Sequence, residues 1–146
     1  MSRLVEVLKS WEGTPYMAGQ AVKEVGVDCV RFVASVVAEL QGRDLGRLNL
    51  PMDAAFHHPA KARRALQILL ETFPHEEVSW LEREPGDVLI LSPPGGGPGH
   101  AMIVGSAADL WHATQGGVRR SGLSIFMVSR WGIWGVYRPE VPCPKS

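Results

Sequence analysis

The sequence predicts an α+β domain in which early helices pack on an antiparallel sheet built by the second half of the chain. Two observations carry this. Segments with apolar residues at helical spacing fall in the first half, and short apolar runs separated by Gly- and Pro-rich turns fill the second. The chain has 146 residues, one domain's worth and enough to bury a core without staples, so residues 1–146 are read as a single domain.

The elements follow in order. "SRLVEVLKSW" places apolar residues at 4, 5, 7, 8 and 11, a helical pattern that Gly13 and Pro15 stop. A second helix starts after Asp28, with Val30, Phe32, Val33, Val36, Val37 and Leu40 at i, i+3, i+4 spacings and Arg31, Ser35 and Glu39 on the other face. Asp28 suits the N-cap, its carboxylate accepting from backbone N–H groups two and three residues on, and Gly42 ends the helix. "GRDLGRLNLPMD" reads as a loop. "HPAKARRALQILLETF" reads as a further helix, with Pro59 near its first turn and Leu66, Leu69, Leu70 and Phe73 facing inward. "PGDVLILS" is then a turn and a strand, "PPGGGPG" a loop and "HAMIVGS" a strand. "DLWHATQGGVRR" is a strand, a Gly-Gly turn and a strand, and "RWGIWGVYRP" is the last strand.

Composition excludes several classes of function. Fifteen basic and fifteen acidic side chains cancel, so no global field points to nucleic acid or an anionic membrane. The N-terminus lacks an apolar h-region and no stretch approaches eighteen apolar residues. Synthesis in a cytoplasm is therefore expected, followed by retention there, release by lysis or incorporation into a particle. In that reducing compartment Cys29 and Cys143 are not expected to pair, and Cys143, in "VPCPKS", reads as an incidental exposed thiol.

Cys29 is the residue with chemical promise. A cysteine at a helix N-terminus feels roughly half a positive charge, which favours thiolate. Position alone leaves a buried packing residue equally open. His100 starts an apolar strand directly after the glycine loop, where a side chain can reach a cleft. His112, in "DLWHAT", falls on the next strand, where it can accept from Nδ1–H of His100 and orient that ring. Each histidine alone also fits a bland role, water-facing for His100 and half-buried in the sheet for His112. His57, His58 and His75, beside the third helix, read as solvated. No C-x-x-C or H-x-x-x-H pairing suggests structural zinc, although Cys29, His100 and His112 make a conceivable three-ligand set. "PPGGGPGH" lacks the phosphate-loop lysine and precedes a strand. The five tryptophans fit packing better than stacking on sugars or bases. No cofactor is expected.

"GTPYMAGQAVKEVGVDCVRFV" resembles the nucleophile block of the NlpC-type cell-wall cysteine peptidases, whose pattern runs G-T-P-Y, a glycine-rich stretch, then D-C-S-G-[FL]-V. "PGDVLIL", "GHAMIVG" and "LWHAT" resemble the second block, P-G-D-L-[VI]-F, then H-V-G-[IM]-[YV]-x-G, then [IV]-H-A. The similarity spans roughly residues 11 to 115, and the ending "WGVYRPEVP" is more loosely similar to the family's phage-tail branch.

The resemblance implies a papain-like fold with the cysteine helix on an antiparallel sheet. It implies Cys29 as nucleophile, His100 as general base and His112 as the residue orienting the base. Tyr16 matches the tyrosine that shapes the substrate and oxyanion region. Asp28 matches the residue before the cysteine, read as a cap able to touch substrate. Val30 and Arg31 replace the family's serine and glycine, and Met17, Ala18 and Gly19 stand where it has a tryptophan and two glycines. Arg31 is expected either to point to solvent or to narrow the cleft and meet a substrate carboxylate.

The implied activity is thioester-mediated hydrolysis of amide bonds in peptidoglycan stem peptides. A phage-tail assembly or muropeptide recycling would provide the setting, with tail proteins as candidate partners. An acyltransferase would use the same layout. The departures at Arg31 and after Tyr16 support a different class, a non-catalytic tail or ligand-binding module.

Overall fold

The computed structural model describes residues 2–43, 59–94, 99–105, 109–122 and 131–140. The expected loop from residue 44 to 53, most of the glycine loop, His57, His58 and Cys143 lie outside the described residues.

Helix α1 (Arg3–Trp11) is capped by Ser2, whose hydroxyl accepts from the Val5 amide, and it buries Val7, Leu8 and Trp11. A short ribbon, β1 (Ala21–Val22) with β2 (Gly26–Val27), leads into helix α2 (Cys29–Gln41). Asp28 caps α2 as expected, its Oδ1 accepting from the Arg31 amide at 2.8 Å. At the other end Gly42 turns left-handed with φ 70°, and the Arg43 amide donates to the Ala38 carbonyl at 2.8 Å. Helix α3 (Pro59–Glu71) starts at its proline and buries Leu66 and Leu69, with Phe73 just beyond its end and Leu70 partly covered.

Six strands form one sheet, β3 (His75–Val78), β4 (Val88–Ser92), β5 (His100–Val104), β6 (Asp109–Thr114), β7 (Gly117–Gly122) and β8 (Gly132–Pro139), in the order β3-β8-β4-β5-β6-β7. All five pairings are antiparallel. Strand β3 replaces what reads in the sequence as a linker beside α3. Its sequence "HEEV" carries little apolar signal because it is an edge strand with an exposed, charged surface. His75 is exposed as expected, yet it is not merely solvated. Its ring packs edge-on to Phe73 and Tyr137, and Nδ1 meets the Phe73 carbonyl at 3.0 Å.

Alternation along the strands builds two cores. Val88, Ile90, Ala101, Ile103, Trp111, Ala113 and Val118 pack with α2, while Leu89, Leu91, Met102, Val104, Leu110 and Val136 form a second cluster. Helix α2 also contacts α1, α3 and β1, so it is covered on nearly every side. The polar face expected for Arg31 and Ser35 is therefore buried, the two residues being 6% and 2% exposed.

The "PGD" turn serves the frame. Asp87 is buried, accepts from the Glu84 amide at 2.8 Å, and receives Arg138 through Nε and Nη2, both at 3.0 Å. This ties the start of β4 to β8 by a charge-assisted, two-point contact.

Candidate active site

Cys29 is the first residue of α2 and is 1% exposed. Its sulfur faces the backbone amide of Ala101, the residue after His100, and also senses the amides of Val30 and Cys29 itself. The segment before it is pinned by two backbone hydrogen bonds, Val27 N–H to the Pro15 carbonyl at 3.0 Å and Met17 N–H to the Val27 carbonyl at 3.1 Å. That pairing lays Tyr16 beside the start of α2, close enough for Cys29 and Asp28 to act on its phenol. The close approach requires Gly26, since a Cβ there would sit 2.6 Å from the Met17 Cβ.

Asp28 is fully buried and its carboxylate is occupied. Besides the cap, Oδ2 accepts from the Gly19 amide at 2.9 Å and from Arg31 Nη1 at 2.8 Å. Besides capping α2 as expected, Asp28 thus fastens the 16–20 segment to that helix. Arg31 does not point to solvent; its Nη1 folds back onto Asp28 in a buried ion pair.

His100 and His112 meet directly, with His100 Nε2 2.8 Å from His112 Nδ1 and the rings edge-to-face at 5.1 Å. The antiparallel pairing of β5 and β6 sets the two rings diagonally, and the contact uses Nε2 of His100 instead of the expected Nδ1. His112 continues the chain, its Nε2 lying 2.8 Å from Ser121 Oγ. Ser121 has no local sequence signal. Only the β6–β7 register, which pairs Leu110 with Ser121 and His112 with Arg119, brings it there. Trp131 packs edge-on to His100 at 6.2 Å between ring centres.

Cys29 meets β5 at the amide of Ala101, the residue that follows His100. No hydrogen bond joins Cys29 to His100 among the described residues. Alternation explains the gap: Ala101 lies under α2, whereas His100 precedes it on the face of Met102. Nor do any three of the described His, Cys, Asp and Glu residues come together as a metal-ligand set.

Comparison with solved structures finds the same fold in NlpC/p60 domains. The NlpC/p60 domain of peptidoglycan hydrolase SagA superposes with a TM-score of 0.58 at 22% identity, over 94% of this chain and 96% of that one. An NlpC/p60 family protein from Bacillus cereus ATCC 10987 gives a TM-score of 0.61 at 15% identity, over 95% of this chain but 39% of that protein. The chain has the NlpC/p60 fold. No family model matches its sequence, and no curated protein does. The papain-like α+β expectation holds, and the likeness resides in structure at low identity.

Within this NlpC/p60 fold the electrostatics favour neutral partners at rest. Burial pushes the Cys29 thiol up to about 12; the Ala101, Val30 and Cys29 amides pull it down, and Asp28 adds to the rise. Desolvation thus outweighs the helix N-terminus, reversing the thiolate expected from position. Burial, then His112, lowers His100 to about 3, and burial, then the exposed Arg119, lowers His112 to about 4. Burial, followed by Cys29 and Asp28, also raises the Tyr16 phenol. Burial thus favours a protonated thiol at Cys29 and neutral imidazoles at His100 and His112.

Proposed function

We propose that this protein is a cysteine hydrolase that cleaves amide bonds in peptidoglycan stem peptides. The observation that carries the reading is the placement of Cys29, at a helix N-terminus and against the amide of Ala101, the residue that follows His100 of the hydrogen-bonded His100–His112 pair. That SagA, which shares the fold, is a peptidoglycan hydrolase supports the substrate class.

In this reading His100 takes the Cys29 proton as sulfur attacks the amide carbonyl, and the carbonyl electron pair moves to oxygen. The Cys29 backbone N–H, at the helix start, donates to that oxyanion. His100, now protonated, gives the proton to the leaving amine as the C–N bond breaks, leaving a thioester on Cys29. Water, deprotonated by His100, adds to the thioester and expels the thiolate; the product is a carboxylic acid and the thiol is restored. His112 keeps His100 aligned, and Tyr16 borders the pocket. Substrate entry brings the Nδ1 side of His100 toward sulfur, since catalytic hydrogen bonds that are long in the free enzyme tighten in the complex. A tail assembly or muropeptide recycling provides the setting.

The test is digestion of purified peptidoglycan by the full chain and by Cys29→Ser, read by mass spectrometry of released peptides. Release by the native chain alone supports the proposal, and no release by either contradicts it. A non-catalytic module is the second reading, favoured by the burial of Cys29 and the missing Cys29–His100 hydrogen bond. It predicts stem-peptide binding without cleavage.

A further inference from the structure

We propose that Ser121 is a positioning residue that holds His112 in its Nε2–H tautomer, so that His100 keeps a bare Nδ1 for the Cys29 proton. The inference rests on the hydrolase reading above and adds a member to its proton chain. Two contacts in series carry it, His100 Nε2 to His112 Nδ1 and His112 Nε2 to Ser121 Oγ, each 2.8 Å.

A neutral imidazole has one donor and one acceptor nitrogen, so the three side chains can be protonated coherently in two ways. In one, the Ser121 oxygen accepts from His112 Nε2–H and His112 Nδ1 accepts from His100 Nε2–H. Nδ1 of His100 then has a free lone pair. In the other, the Ser121 hydroxyl donates into His112 Nε2 and every direction reverses. Nδ1 of His100 then carries a proton and cannot accept one. Only the first arrangement supports general-base chemistry at Nδ1. It also places both imidazole protons on Nε2, the site that free histidine prefers. Which nitrogen of a histidine is protonated follows from the partners its two nitrogens meet, and Ser121 is the partner that the structure gives His112 Nε2.

The fold holds that partner still. Ser121 is 9% exposed, lies within β7, and sits two positions from Arg119, the cross-strand neighbour of His112. Strand alternation keeps it on the His112 face without loop motion. Threonine retains the hydroxyl at that place, whereas alanine removes it.

The experiment is ¹⁵N NMR of histidine-labelled full chain, as native protein, Ser121→Thr and Ser121→Ala, with steady-state kinetics on a stem peptide. Native protein and Ser121→Thr should show His112 and His100 protonated on Nε2. Ser121→Ala should show mixed tautomers and a kcat lower by about tenfold at unchanged KM, the scale of one lost hydrogen bond. His112 protonated on Nδ1 in the native protein overturns the proposal, as do unchanged tautomers in Ser121→Ala. The native spectrum decides even if the alanine variant fails to fold. If no stem peptide is cleaved, the hydrolase reading fails, while the tautomer spectra still judge Ser121.

Discussion

Arg31 and Asp28 form a buried ion pair, Nη1 to Oδ2 at 2.8 Å, one turn apart at the start of the helix that carries Cys29. The pair locks the cap of α2 and, through Gly19, the segment leading from Tyr16. Removing one member leaves the other charge desolvated. Arg31→Met should therefore destabilise the fold by about 3 kcal/mol, whereas Asp28→Asn with Arg31→Met should cost less than the sum of the single changes. Urea denaturation of the four proteins in this cycle measures both quantities.

Cys29 should behave as a buried, protonated thiol in the free protein. In a Cys143→Ser background, its alkylation by iodoacetamide should be far slower than that of a free cysteine at pH 8. The rate should still be rising at about pH 9.5, since an unperturbed thiol titrates near 8.5. A plateau below pH 8.5 would show that the helix N-terminus outweighs burial.

Acid should unfold the protein through its histidine pair. His100 and His112 are held neutral to about 3 and about 4, against an ordinary value of 6.5. Between those values and 6.5 the unfolded chain binds protons that the folded chain does not, so stability falls as pH drops through that window. Thermal melting from pH 7 to pH 4 should show the decline, and His112→Gln should flatten it. A melting temperature insensitive to pH over this range would contradict the neutral pair.

His112→Ala should lower kcat by a factor of about 10²–10⁴ with KM little changed, the loss expected when the group orienting a catalytic imidazole is removed. Stem-peptide kinetics would show it. An equal loss in KM alone would move His112 from orienting the base to binding substrate.

Much of this architecture was legible in the sequence because it rests on local rules. The α2 cap follows from Asp28, its end from Gly42, and five of the six sheet strands from apolar runs between turn residues. Strand β3 escaped notice since an edge strand such as "HEEV" needs no apolar face. Arg31 was placed on a polar face because periodicity cannot reveal that α1, α3 and β1 cover the far side of α2. The pairing of His100 with His112 could be read from their positions on neighbouring strands, but not the nitrogen used, which depends on how each ring is turned. Ser121 and the Asp87–Arg138 tie were hidden for the same reason: each depends on strands brought together by the sheet, 9 and 51 residues apart in sequence.

The proposed hydrolysis requires a covalent thioester on Cys29. Rapid acid quench of the full chain with a stem peptide, followed by intact-protein and peptide mass spectrometry, looks for that intermediate itself. An acyl adduct on Cys29 should appear, decay as free acid accumulates, and be absent in Cys29→Ala. Product release with no adduct on Cys29, or undiminished in Cys29→Ala, would contradict the thioester mechanism.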